Sequence, residues 1–260
     1  MATLVTMYTL RHAPDGSGRL LGPLNQWTYA SFAPKRHAFE IARREAKKRG
    51  FDPDTSKDIQ IVTDGDEDLA TYTQRYFPTA LHTIDVIHVI EYLWKAGECI
   101  HREGSKELAS WIDLQKERLF GGQESLIVGE LKLLLDATPE KGPGNKGKRQ
   151  RLSQVMGYLV KRLPQMNYKT LIDRDLELAS GAVEGAVKHI VGTRLDIGPG
   201  WIHERAEALL QLRCIERNGD WDRFLKWYHD TIHREAQASG IPIRVQHKLP
   251  TSLPKLAEAA

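Results

Sequence analysis

The sequence is sparing in the features that commit a chain to a specialised environment. It has only two cysteines, Cys99 and Cys214, far apart and with no Cys-x-x-Cys spacing. That excludes a disulfide framework and the usual zinc sites, and predicts free thiols in a reducing cytoplasm. No run approaches the ~18 uncharged apolar residues that a membrane span needs. The opening MATLVTMYTL has no basic stretch ahead of its apolar one, so it does not read as a secretory leader. Net charge is only +3 over 260 residues, a weak global attraction to nucleic acid. No internal repeat is visible.

What is present is an ordinary globular composition, 41% hydrophobic and 27% charged. A chain of this length can bury one large core or two smaller ones. Positive charge is concentrated locally in two runs, RREAKKR (Arg43 to Arg49) and KGPGNKGKRQR (Lys141 to Arg151).

Along the chain, ATLVTMYTL alternates and is rich in Val, Thr and Tyr, which predicts a strand. QWTYASF (Gln26 to Phe32) predicts a second strand after a Gly/Pro-rich turn. PKRHAFEIARREAKKR is amphipathic, opens on Pro34 and stops at Gly50, the signature of a helix. DIQIVTDGD (Asp58 to Asp66) is a β-branched strand running into Asp-Gly, EDLATYTQRYF is helical, and TALHTID (Thr79 to Asp85) is a further strand. Strand, helix, strand and helix in turn predict βαβ connectivity and a mostly parallel central region.

After Asp85 nearly everything to about Ala236 follows a helical period. TPEKGPGNKG (Thr138 to Gly147) predicts a mobile linker, and HKLPTSLPKLAEAA a loosely held tail. The expected divisions are an α/β part over 1–98, a helical insertion over 99–172, C-terminal helices over 173–236 and a tail over 237–260.

Three acids stand out. Asp64 ends a predicted strand before Gly65, where α/β sheets bind ligands, although Asp-Gly is also common turn chemistry. Asp85 ends the next strand with His88 one turn on; Asp is a preferred helix N-cap, and a supporting role in a site is the other reading. Glu184 sits in SGAVEGAVKHIVGTRL among small residues, either paired with Lys188 at i+4 or held out for chemistry. The denser DRDLE (Asp173 to Glu177) alternates with Arg174 and reads as a solvated face. Trp201, Trp221 and Trp227 read as packing residues. Ala206, Leu209, Leu210 and Cys214 form an apolar stripe.

The stretch SGAVEGAVKHIVGTRLDIGPGWIHERAEALLQLRCIERNGDWDRF resembles the C-terminal block of ISKra-type insertion-sequence transposases and, more distantly, Mutator-type enzymes. IVTDGDEDLATYTQRYFPTALHTIDVIHVIEYLWKAG resembles an earlier block of the same family: Asp-Gly after a strand, Phe-Pro before another, then Asp-x-x-His opening a helix that carries Leu-Trp. Order and spacing agree over most of Asp58 to Phe224. The helices from about Cys99 to Leu171 match only in being helical.

The resemblance implies an α/β, ribonuclease-H-like core with a large all-helical insertion and a helical C-terminus. It implies an Asp, Asp, Glu triad on two divalent ions, Mg²⁺ or Mn²⁺, cleaving and joining double-stranded DNA at transposon ends in a homo-oligomer, cytoplasmic and nucleoid-associated. Asp64 matches the second Asp and Glu184 the Glu; both are the expected catalytic and metal residues. Asp85, His88, Lys188 and Arg194 are expected to support the site. Lys146, Lys148, Arg149 and Arg151 are the expected DNA-backbone contacts, unless solubility alone explains that run.

The family's first catalytic Asp lies on a strand preceding the one that resembles ATLVTMYTL. The expectation is therefore a core incomplete at its N-terminal strand, with weak or no activity alone. A non-catalytic DNA- or protein-binding remnant that keeps the fold is the alternative. The small residues around Glu184, namely Gly181, Ala182, Gly185 and Ala186, are expected to let its helix approach the sheet edge.

Overall fold

A computed structural model of the chain describes residues 2–17, 20–192, 195 and 200–240. It is a mixed α/β protein of two compact units, Met1–Cys214 and Ile215–Ala260. Among the described residues no helix is long and apolar enough to cross a membrane. The tail HKLPTSLPKLAEAA and Arg194 lie outside the described residues.

The first strands, β1 (Thr3–His12) and β2 (Leu20–Ser31), pair antiparallel, from Thr3 opposite Ser31 to His12 opposite Leu20. The later strands, β3 (Gln60–Thr63) and β4 (Leu81–Ile84), pair in parallel. They make two separate two-stranded sheets rather than one mostly parallel sheet. The connections explain the difference. The few residues between β1 and β2 permit only an antiparallel return, whereas the crossover between β3 and β4 holds a whole helix.

That crossover helix is α2 (Glu67–Tyr76), and α1 (Lys35–Lys48) precedes β3. The apolar face of α1, Phe39, Ala42 and Ala46, packs with Phe77 against Val5 and Met7 of β1 and Ile61 of β3. Both strand pairs thus turn one face to α1. The basic run at the end of α1 is largely spent within the fold: Arg43 pairs with Asp54 and donates to the Tyr76 carbonyl, and Arg49 pairs with Glu45.

From β4 the chain enters α3 (Val86–Gly97), whose Val86, Val89, Leu93 and Ala96 are buried at helical spacing. Fully burying Val89 or Leu93 stabilises the fold by roughly 1.5–3 kcal/mol each. These side chains share one core with α4 (Lys106–Phe120), α5 (Glu124–Ala137), α6 (Asn145–Arg162) and the short α7 (Tyr168–Asp173). The helices expected as an insertion therefore belong to the same compact unit as the strands. The predicted linker is shorter than expected, because α6 begins at Asn145.

Then follow α8 (Gly181–Val187), a π-helical turn over Lys188–Gly192, and α9 (His203–Arg217). The expected stripe on α9 is seen in buried Ala206, Leu210 and Cys214, the last two packing with Ala30, Ala186 and Ile190. In the second unit, α10 (Trp221–Ala238) carries Trp221, Phe224, Trp227 and Tyr228 side by side. The packing role expected for the tryptophans is not what Trp201 and Trp227 show, at 46% and 56% exposed. Aromatic neighbours three and four residues away take the place of burial on α10. Among the described residues neither Cys99 nor Cys214 forms a disulfide.

Candidate active site

Asp64 directly follows β3, and its loop is built around Gly65. Gly65 has φ +88°, and a Cβ there would stand 2.4 Å from the Tyr158 hydroxyl and 3.0 Å from Arg162 Nε. Only glycine meets both conditions. The end of α6 clamps this loop: Arg162 Nε donates to the Gly65 carbonyl at 2.6 Å and Tyr158 Oη to the Asp64 carbonyl at 3.3 Å. The Arg162 guanidinium lies 4.0 Å from the Tyr158 ring centre, and Tyr158 stacks on Tyr92 with centroids 3.7 Å apart. Burial pushes the Tyr158 phenol up to about 12, so it stays a donor at any ordinary pH. The Asp64 side chain is exposed, and its Oδ1 accepts from the Asp66 amide at 3.1 Å.

Asp66 is committed elsewhere. It caps α2 by accepting from the Asp68 amide, and Lys35 Nζ lies 2.6 Å from its carboxylate. The Lys35 ammonium holds the Asp66 carboxyl below the usual carboxylate range.

Asp85 is wholly buried and accepts three hydrogen bonds. The Ile87 amide donates to Oδ1 at 2.8 Å, which is the N-cap of α3; the Ser180 amide at 2.8 Å and the Ser180 hydroxyl both donate to Oδ2. The N-cap reading of Asp85 is therefore seen, and the second carboxylate oxygen is taken up by Ser180. Ser180 in turn opens α8, and its carbonyl accepts from the Val183 and Glu184 amides. Tyr168 adds a buried bond to the Ile84 carbonyl at 2.9 Å. Asp85 thus ties the end of β4 to the start of the helix that carries Glu184.

Glu184 is exposed, and among the described residues its carboxylate has neither a hydrogen bond nor an ion pair. The pairing with Lys188 does not form. An exposed i,i+4 pair is worth only about 0.3–0.5 kcal/mol, too little to fix two flexible side chains. The reason expected for the glycines also fails: a Cβ at Gly181 or Gly185 would meet nothing within 4 Å. Ala186 alone of the small set is fully buried, packed with Ala30 and Ile190.

One cavity of about 940 Å³ collects these groups: Asp64, His88, Glu184 and Lys188 all line it. His88 faces Glu91 on its own helix, with Nδ1 to Oε2 3.4 Å. Asp66, Asp175 and Glu177 line the cavity too. Glu177 is also engaged: Tyr8 Oη donates to its side chain, and its backbone exchanges two hydrogen bonds with the Gln60 side chain at 2.7 and 3.2 Å. It is therefore no solvated face residue. Burial and the Glu177 carboxylate together raise the Tyr8 phenol above its ordinary value.

Asp64 and Glu184 offer the hard oxygens that Mg²⁺ or Mn²⁺ prefers. Among the described residues, however, no three His, Cys, Asp or Glu side chains converge to hold a metal. The described residues do not make a complete metal centre.

The expected DNA contacts divide. Arg149 Nη1 donates to the Leu135 carbonyl at 2.9 Å and to the Thr138 carbonyl, capping the end of α5. Arg151 stands 3.8 Å from Glu98. Lys146 and Lys148 begin α6 and carry no ion pair among the described residues. The cations are thus set on a helix, not on the flexible run that was expected.

Ser180, Tyr158 and Arg162 carry no local signal of their roles, and Glu177 sits in a run that reads as a solvated face. Their partners lie 94 to 169 residues away, so no local spacing marks them. The chain matches no family model, no curated protein and no solved structure.

Proposed function

We propose that this chain is the catalytic-core part of a DDE-type insertion-sequence transposase, ribonuclease-H-like in architecture, acting on double-stranded DNA with Mg²⁺ or Mn²⁺. The observation that carries the reading is that Asp64, directly after β3, and Glu184, far apart in sequence, line one cavity. Strand ends are where α/β proteins bind and transform ligands. Among the described residues Glu184 has no hydrogen-bond or ion-pair partner and Asp64 holds only a backbone amide, which leaves both carboxylates able to take a cation.

In this reading the two acids are two of three carboxylates, and the chain alone has weak or no cleavage activity. Asp85 is a positioning residue that acts through Ser180, and His88 lines the wall. Lys188 faces the DNA phosphates, while Lys146 and Lys148 neutralise backbone charge more than Arg149 and Arg151, which are held within the fold. The active assembly is a homo-oligomer on DNA.

The shortage of converging donors favours a second reading, a DNA- or protein-binding remnant without catalysis. Mn²⁺ titration followed by electron paramagnetic resonance, beside nicking of supercoiled plasmid, separates the two. The transposase reading expects weak Mn²⁺ binding that Asp64→Asn or Glu184→Gln abolishes, with nicking near background. Mn²⁺ binding untouched by both substitutions removes the site. Strong Glu184-dependent nicking removes the claim that the chain is feeble alone.

A further inference from the structure

We propose that the same cavity is a slot that receives an extended apolar peptide of about six residues as an added β-strand between β1 and β3. The inference goes beyond the catalytic reading and does not depend on it. It begins with which residues line the cavity. On one side stand Ala2 to His12 without a break, on the other Asp58 to Asp64 without a break. Successive side chains of a strand point to opposite faces. A cavity that touches every residue in a row therefore meets the edge of the strand, not a face.

Both edges are unpaired. Among the described residues β1 bonds only to β2 and β3 only to β4. Each strand thus presents a row of N–H and C=O groups to the cavity, the feature by which an open edge takes up a further strand. The hydroxyl of Thr6, in the lining of the same slot, is buried with no hydrogen-bond partner among the described residues.

The walls say what kind of strand fits. Phe39, Ala42 and Phe77 lie on the α1 side, and Leu176, Val183 and Val187 come from the other. An occupant is covered on both faces, so it must be apolar at consecutive positions, like a central strand of an α/β sheet. Size agrees. A strand fills roughly 160 Å³ per residue from its rise, its spacing to neighbours and the thickness of a packed sheet. The cavity of about 940 Å³ holds about six such residues. Glu177 braces the opening from one face, since it holds Tyr8 of β1 and Gln60 of β3 together. The slot is therefore formed before anything enters it, which lowers the cost of binding.

The test uses the whole chain in EDTA, so that metal binding has no part in the outcome. The probe is a capped peptide of six alternating valines and isoleucines flanked by lysines, beside the same peptide with prolines at its third and fifth apolar positions. Amide hydrogen exchange is read across Thr3–His12 and Gln60–Thr63. The expected result is slowing of about tenfold or more in both strands with the first peptide and none with the second. As a guard against poor peptide solubility, both segments are also fused ahead of Ala2 through a Gly/Ser linker and compared in the same way. No slowing in either format, slowing in one strand alone, or equal slowing by the proline control overturns the proposal.

Discussion

Asp85 and Ser180, 95 residues apart, meet at the base of the candidate site, where one carboxylate oxygen accepts both the amide and the hydroxyl of the serine. Because Asp85 is wholly buried, its substitution leaves donors with no water to turn to. Asp85→Asn retains one acceptor and turns an amide group toward an N–H or O–H donor. Its expected cost is ~2–4 kcal/mol, against about 1 kcal/mol for Ser180→Ala, which loses one bond only. Urea denaturation of the two variants measures both, and equal small losses would break the link drawn between β4 and α8.

Gly65→Ala tests the clamp on the Asp64 loop. The substitution sets a methyl group 2.4 Å from the Tyr158 hydroxyl at a positive φ, and should cost about 2–4 kcal/mol. Tyr158→Phe removes the colliding oxygen but not the backbone penalty. In that background the alanine should cost at least ~1 kcal/mol less, a coupling that a double-mutant cycle reads directly. Additive losses would show that the hydroxyl does not press on the loop.

His82 gives the fold an acid limit. Its Nε2 lies 2.9 Å from the Thr63 hydroxyl across the parallel pair, and burial holds its imidazole down to about 4 from an ordinary 6.5. The unfolded chain takes up this proton as pH falls through 6.5, whereas the folded chain resists until about 4. The contribution is full above about 6.5 and declines as the medium is acidified toward 4, by ~2 kcal/mol after allowance for partial exposure. His82→Gln should lessen the drop in urea midpoint between pH 7.5 and 4.5. An unchanged drop would place the acid sensitivity elsewhere.

Asp64→Asn and Glu184→Gln should leave stability within about 0.5 kcal/mol of the parent chain, since both side chains are exposed and neither holds an ion pair among the described residues. Thermal and urea unfolding check this. A loss above ~1 kcal/mol in either variant would give that acid a structural job and weaken its claim to a functional one.

Much of the fold is legible where the signal is local. Thr3–His12, Lys35–Lys48 and Glu67–Tyr76 lie close to their predicted ranges, because alternation, a Pro-led start and helical periodicity act within a few residues. Sheet pairing is less legible: the later strands are parallel as expected, but the first two turn back on each other. The acids at strand and helix ends were found by position. The residues that hold them, Ser180, Tyr158 and Arg162, were not, since a hydrogen bond across 94 or more residues leaves no periodic trace. Glu177 was misread for the same reason; its acidic neighbours suggested solvent, while Tyr8 stands 169 residues upstream.

The placement of the two open strand edges also bears on how the protein behaves at high concentration. Exposed edges are where like molecules join into aggregates. Here residues of α1 and of the seven-residue α8 line the same cavity as both edges. A short helix frays before the rest of the fold, so warming should uncover the edges while the core is still intact. Turbidity should then rise at a temperature below the unfolding midpoint.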